Sequence, residues 1–130
     1  MDISWTAAYP LIANWLLLYY GDLAAVEEHW PTLKRYVDGQ KRQMTNQSMV
    51  PDFFNFGDWC AIEGRSECTQ NTGKPAAAAN YLLAVEAMGT MATALGEGAD
   101  AARYAAELVK MRARSSFCIM DSSHWCMDSA

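Results

Sequence analysis

The sequence has few basic residues. Its ten Lys and Arg residues are outnumbered by 15 Asp and Glu residues, which gives a formal net charge of -5 at pH 7. The nearest approach to a basic cluster is Lys34, Arg35, Lys41 and Arg42, which helical spacing places on the solvated side of one helix. Because nucleic-acid binding depends on a positively charged face, this composition argues against a nucleic-acid partner.

Histidine and cysteine are also scarce. The two histidines, His29 and His124, share no metal-ligand spacing with a cysteine, so we expect no metal site and no cofactor. The four cysteines are expected to be ordinary thiols, with a disulfide bond between Cys60 and Cys68 as the alternative if the protein is secreted. The other two cysteines are Cys118 and Cys126.

The chain shows no signal peptide and no apolar run long enough to span a bilayer. Met1 is followed by Asp2 and not by the basic region of a signal peptide. The longest apolar run, residues 7–20, is interrupted by Pro10 and Asn14 and is too short to span a bilayer comfortably. We therefore expect no membrane partner, and the sequence does not indicate a compartment.

Apolar residues, in contrast, are abundant. They make up 52% of the chain against 19% charged residues, which indicates one globular domain and not a disordered chain. The periodicity predicts an all-α protein in which helices apolar on every side alternate with amphipathic helices. The predicted helices are residues 6–20 (apolar), 22–29 (short), 31–43 (amphipathic), 75–95 (apolar) and 100–117 (amphipathic). This order predicts two helical hairpins, with the apolar helices inside and parallel and the amphipathic helices outside.

The segment between the predicted hairpins, residues 44–74, lacks periodicity and is long for a plain connection. It contains the run Phe53-Phe54-Asn55-Phe56-Gly57-Asp58-Trp59. An Asp beside an indole on such a loop is a frequent way to bind a sugar, because the carboxylate accepts hydroxyl hydrogen bonds while the ring covers the apolar sugar face. The alternative is a surface turn with an exposed Asp and a Trp that fills the core.

Several motifs resemble a known family. They are Trp5-Thr6-Ala7-Ala8, Tyr19-Tyr20-Gly21-Asp22, Gly57-Asp58-Trp59, Met91-Ala92-Thr93-Ala94-Leu95-Gly96 and Ala101-Ala102-Arg103-Tyr104. Together, over residues 2–117, they resemble the catalytic barrel of bacterial-type α-L-rhamnosidases, which are six-hairpin (α/α)6 glycosidases. The resemblance implies a partial (α/α)6 barrel: residues 1–117 as a fragment of the catalytic domain, followed by an unpatterned tail, residues 118–130.

The resemblance also implies hydrolysis of terminal α-L-rhamnosides by an inverting mechanism, in which two carboxyl groups lie roughly 6.5–9.5 Å apart. The family's general acid lies in an Arg-Glu motif upstream of the Trp that Trp5 resembles, and its general base lies in a later hairpin. Neither region occurs in this sequence, so no catalytic residue is identified and the isolated chain is expected to be inactive. By motif, Trp5, Asp58 and Trp59 are the expected substrate-binding residues.

The sequence departs from the family at one position and offers two further carboxylates. Ala7 stands where the family commonly has Asp in a Trp-Gly-Asp-Ala pattern, so a local polar contact is expected to be lost. Glu63 and Glu67 are expected to be solvated loop carboxylates and not the catalytic pair, because the sequence gives neither of them a partner at a defined distance.

Two other functions remain open at this point. One is another six-hairpin glycosidase with a different sugar, and the other is a non-catalytic helical-hairpin module that binds a peptide. Against the module, the two hairpins show no 34-residue self-similarity. In a complete barrel the inner helices are covered by neighbours that are missing here, so the fragment is expected to expose apolar surface and to self-associate.

Overall fold

The computed structural model describes the backbone of residues 3–43 and 67–120 and the side chains of residues 3, 5–43 and 76–113. Within these ranges the chain is helical and contains no strand, which confirms the predicted all-α class there. The helices are α1 (Ile3–Thr6), α2 (Ala8–Tyr20), α3 (Leu23–Arg42), α4 (Glu67–Leu95) and α5 (Gly98–Met120).

Helices α1 and α2 are nearly one helix, interrupted only at Ala7, and together they are called the first helix below. The Ala7 N–H donates to the Ile3 carbonyl (3.0 Å) and the Leu11 N–H donates to the Ala7 carbonyl (3.2 Å). Hydrogen bonds of helical spacing therefore continue through the interruption.

The turn after the first helix follows the prediction from Gly21 and Asp22. Gly21 has a φ of 66°, in the left-handed region that favours glycine, and its N–H donates to the Leu17 carbonyl at 2.9 Å. Asp22 then caps α3, because its Oδ1 accepts a hydrogen bond from the Ala25 N–H at 3.0 Å. These two residues reverse the chain and make α2 and α3 a hairpin.

The predicted helix boundary at Pro31 is wrong. Segments 22–29 and 31–43 were expected to be separate helices, whereas α3 runs through Pro31 without a break. A proline removes one hydrogen bond from a helix interior, but here the apolar stripe on either side of it is continuous and buried. That stripe is Val26, Trp30, Leu33 and Val37. Burial of these four side chains keeps both halves of α3 in one helix.

The predicted start of the fourth helix at Pro75 is also wrong. Helix α4 begins eight residues earlier, at Glu67, so the segment between the hairpins is shorter than the predicted 44–74. Residues 67–74 carry no repeating apolar side chains, so hydrophobic periodicity gave no signal there. Helix α5 is likewise longer at both ends than the predicted 100–117.

Helices α3 and α5 are linked by three salt bridges, called the ion ladder below. The two residues of each salt bridge are 65 or 66 positions apart in sequence. From one salt bridge to the next the residue numbers rise on both helices, so α3 and α5 run in the same direction. The pairs are Lys34 with Asp100 (3.0 Å), Asp38 with Arg103 (2.6 Å), and Lys41 with Glu107. Two basic side chains of α3 that were expected to face solvent, Lys34 and Lys41, instead form salt bridges with α5.

The direction of the remaining helices follows from the hairpins. Thr6 Oγ1 and Tyr36 Oη form a hydrogen bond of 2.7 Å, and the Tyr9 ring meets the Tyr36 ring edge to face at 6.2 Å, so α2 and α3 pack antiparallel. Helices α4 and α5 are joined by Gly96 (φ 74°) and Glu97 and pack antiparallel as well. Since α3 and α5 run parallel, α2 and α4 also run parallel, as predicted for the inner pair.

The core is centred on α4, which packs against all four other helices. Its buried side chains combine small residues, which allow close approach, with larger ones that fill the space between helices. From α4 these are Ala77, Tyr81, Ala84, Val85, Ala87, Met88, Met91 and Ala92, and they meet Trp30, Leu33, Val37, Tyr104 and Met111 from α3 and α5. The prediction that residues 75–95 form an inner helix agrees with this burial.

The first helix, in contrast, is covered on one side only. Pro10, Ala13 and Asn14 of α2 are buried against the core. The opposite side exposes five residues at alternating spacings of three and four, called the seam below: Trp5, Ala8, Ile12, Trp15 and Tyr19. The expected exposed apolar surface on an inner helix is therefore present.

Candidate functional site

Trp5 is the one predicted substrate-binding residue that lies within the described part of the chain. It stands on α1 and exposes 65% of its surface. Its neighbour Thr6 contacts Tyr36 in the second half of α3, so Trp5 lies at the end of the bundle where α3 finishes. The indole is therefore open to a ligand at that end.

Ala7 points the other way. It is fully buried and belongs to the apolar core, whereas Ala8 beside it is exposed. The side chain that stands in the family's acidic position thus faces the protein interior in this chain. An apolar methyl group fits that environment, and an ionised carboxylate would not.

Asp58 and Trp59, the other two predicted site residues, lie outside the described residues, as do the rest of the 53–59 run and Glu63. The side chain of Glu67, the first residue of α4, is also outside the described part. The structure does fix the two ends of the segment that carries Asp58 and Trp59. Helix α3 ends on the Trp5 side of the bundle, and α4, which runs parallel to α2, begins on the same side but roughly 30 Å further along the bundle axis.

The cysteine pairing cannot be followed in the structure. Cys60 and Cys126 lie outside the described residues, and the side chains of Cys68 and Cys118 are outside them too, although both belong to helices. Among the described residues no group of three or more His, Cys, Asp or Glu side chains could hold a metal ion. None of the described helices combines the length and apolar character needed to cross a membrane.

A second polar cluster surrounds the ion ladder. Arg103 lies over the ring of Tyr104, 4.4 Å from its centroid, and donates from Nη2 to the Tyr104 hydroxyl at 2.8 Å. The Asp38–Arg103 and Lys41–Glu107 salt bridges, together with Tyr81, line a shallow pocket beside Tyr104. The pocket has room for about one water molecule. Its lining residues are Val37, Asp38, Lys41, Tyr81, Arg103, Tyr104 and Glu107.

Both tyrosines of this cluster resist ionisation. Burial raises the pKa of Tyr104 to about 12, even though the nearby Arg103 guanidinium acts to lower it. Burial, together with the negative charge of Glu107, also raises the pKa of Tyr81. Because the carboxylates here are paired with cations and the phenols stay protonated, the cluster holds α3 and α5 together and offers no free acid or base.

Sequence reasoning assigned Lys34 and Lys41 of α3 to solvent and so missed the ladder. The signal was present as two complementary patterns, because cation, anion and cation on α3 face anion, cation and anion on α5. The α3 residues are Lys34, Asp38 and Lys41, and the α5 residues are Asp100, Arg103 and Glu107. This complementary charge pattern can be recognised only when the two helices are known to be neighbours.

Three buried polar atoms have no hydrogen-bond partner in the described part of the structure: Asn14 Oδ1, Trp30 Nε1 and Gln40 Oε1. Asn14 lies on α2, while Trp30 and Gln40 are separated by ten residues of α3, about 15 Å of helix. Trp30 Nε1 and Gln40 Oε1 therefore do not belong to one binding site.

A comparison with known families agrees with this arrangement of helical hairpins. The family model of the bacterial alpha-L-rhamnosidase 6 hairpin glycosidase domain matches residues 1–118. No curated protein and no solved structure matches the chain. The family match covers most of the 130 residues, and the described part is an all-helical pair of hairpins, as part of a six-hairpin domain should be. The chain therefore belongs to the bacterial alpha-L-rhamnosidase six-hairpin glycosidase family.

Proposed function

We propose that this chain supplies one wall of a site for terminal α-L-rhamnosides, with Trp5 stacking on the sugar and Asp58 and Trp59 completing the wall. The observation that carries the proposal is the exposure of Trp5 on the side of the bundle where α3 ends and beyond which α4 begins. The segment that holds Asp58 and Trp59 connects those two helices. An exposed indole and a carboxylate at one end of a helical bundle suit a ligand with one apolar face and several hydroxyl groups.

We also propose that these 130 residues alone do not hydrolyse rhamnosides. Four of the described carboxylates are held in salt bridges: Asp38, Glu86, Asp100 and Glu107. Asp22 caps α3, and the remaining three, Glu27, Glu28 and Glu97, lie near the hairpin turns. The turn of the first hairpin is about 20 Å from Trp5 along the first helix, whereas Glu97, in the turn of the second hairpin, is only roughly 10 Å from the level of Trp5 because the two hairpins are staggered. Five of the described carboxylates are thus engaged in salt bridges or a helix cap, and the other three give no observed acid and base pair at the separation that an inverting glycosidase needs.

The test of the binding wall is a comparison of two tryptophans on the same helix. Binding of L-rhamnose, followed by ligand-observed NMR, is expected to weaken roughly tenfold in Trp5→Ala, the loss of about 1.4 kcal/mol of stacking. Trp15→Ala removes an indole that is also half exposed but lies ten residues along the helix, and it should not weaken binding. Equal losses in both variants, or equal binding of D-glucose, would contradict the proposed wall.

Hydrolysis is tested by release of nitrophenol from an aryl α-L-rhamnoside. Each missing proton-transfer group typically contributes about 10²- to 10⁴-fold, so without both groups the rate should stay at background. The matched sample is the double variant Glu63→Gln, Glu67→Gln, which should give the same background rate. Turnover by the unmodified chain that disappears in the double variant would instead assign the catalytic pair to these two glutamates.

A further inference from the structure

The seam of the first helix has the residue spacing of a helix-packing surface. Trp5, Ala8, Ile12, Trp15 and Tyr19 follow one another at intervals of three, four, three and four residues, and all five are exposed. This alternation keeps side chains on one line along a helix and is the spacing by which helices pack side by side. The surface therefore suits packing against another helix.

The seam carries no charge, and neither does the rest of the first helix. Residues 3–20 contain no Asp, Glu, Lys or Arg, although the chain as a whole carries a net charge of -5. A helix that lies on a membrane surface usually has Lys and Arg on its polar face, and this helix has none. Two such surfaces can meet without repulsion between like charges, which favours an apolar helix as the partner.

The exposed area of the seam reaches the lower end of the range for specific interfaces. Within the seam, Trp5, Trp15 and Tyr19 expose 65%, 50% and 77% of their surfaces. At the 150–250 Å² that an aromatic side chain can bury, the exposed parts of these residues together with Ile12 offer roughly 500 Å² on each copy. Two copies would cover roughly 1,000 Å², about the smallest area expected of a specific protein interface.

We propose that the seam is the interface of a homodimer, in which the first helices of two copies pack antiparallel across a two-fold axis near Ile12. An antiparallel pair aligns the helix dipoles favourably and keeps the two Asp22 carboxylates at opposite ends. The small Ala8 side chain on each copy leaves room for the large aromatic side chains on the other. This proposal does not rest on rhamnoside binding.

The test places charge at the middle of the seam. The unmodified chain is expected to sediment at micromolar concentration with twice the monomer mass, and Ile12→Glu should raise the dimer dissociation constant at least about 100-fold, because like charges then meet across the axis. Val109→Glu is the matched control, since Val109 is a 69% exposed apolar residue on α5 and should leave the dimer intact. A monomeric parent chain, or an equal effect of both variants, would overturn the proposal.

A mixing experiment separates loss of the interface from loss of folding. Ile12→Lys alone should also be monomeric, whereas an equimolar mixture of Ile12→Glu and Ile12→Lys should recover the dimer through attraction between opposite charges. Recovery requires both variants to be folded. A mixture that stays monomeric, or binding of the parent monomer to lipid vesicles in place of dimerisation, would refute a seam-to-seam interface. Trp5 belongs both to the seam and to the proposed rhamnose wall, so the dimer would cover that wall. The monomeric Ile12 variants are therefore expected to bind rhamnose more tightly than the parent chain, and absence of binding in them would contradict the wall without affecting the dimer proposal.

Discussion

Replacing Ala7 with Asp is expected to destabilise the protein by about 3–5 kcal/mol, because a carboxylate would be moved from water into the core without a cationic partner. Ala7 is fully buried and lies between α1 and α2, where the first helix contacts α4. The substitution would introduce the acidic residue that the related family commonly has at this position. It therefore distinguishes a packing role for residue 7 from a role in holding sugar.

The matched control is Ala8→Asp, which makes the same chemical change one residue later on the exposed side of the helix. Its stability should stay within about 1 kcal/mol of the parent, since exposed substitutions rarely cost more. Urea denaturation followed by circular dichroism measures both variants. If Ala7→Asp and Ala8→Asp were equally stable, residue 7 would not be enclosed as the structure places it.

Raising the pH above about 10 is expected to destabilise the protein through the two buried tyrosines. An unfolded tyrosine has a pKa near 10, whereas burial raises that of Tyr104 to about 12 and also raises that of Tyr81. Below about pH 10 both tyrosines are protonated in the folded and unfolded states, so their contribution is fully present. Between about pH 10 and 12 only the unfolded state releases their protons, and stability falls by about 3 kcal/mol for Tyr104 alone.

The control for the alkaline transition is Tyr104→Phe, which keeps the ring in the core and removes the ionisable hydroxyl. At neutral pH this variant should lose about 1 kcal/mol with the hydrogen bond from Arg103. Above about pH 10 its stability should fall less steeply than that of the parent. Denaturant titrations at increasing pH give both slopes, and parallel slopes would show that Tyr104 does not contribute to the alkaline loss.

Local signals in the sequence were sufficient for the ends of several helices and for the fold class. Gly21 and Asp22 specify a left-handed turn and a helix cap through their own side chains and backbone, so their roles could be read without a structure. Pro31 misled because burial of Trp30 and Leu33 on either side outweighs the lost hydrogen bond. At this position tertiary packing outweighs the tendency of proline to end a helix.

Contacts between distant segments could not be read in the same way. Lys34 and Asp100 are 66 residues apart, and the sequence of neither helix identifies the other as its neighbour. The exposure of Trp5 and the burial of Ala7 follow from how the first helix docks on α4 and not from the motif that contains both residues. For the candidate site, the motif therefore predicted which residue types matter, and the packing decided which of them face outward.

The ion ladder also sets how far the two hairpins are displaced along the bundle. Its partners are 65 or 66 positions apart, whereas Leu23 and Gly98, which open α3 and α5, are 75 positions apart. Helix α5 therefore begins level with a point about nine residues inside α3, a stagger of roughly 14 Å. The first hairpin projects beyond the second by that distance, which explains why Leu18, Tyr19 and Tyr20 are exposed although they end an apolar helix. A partner that covers the first helix must therefore reach past the second hairpin to this projecting tip.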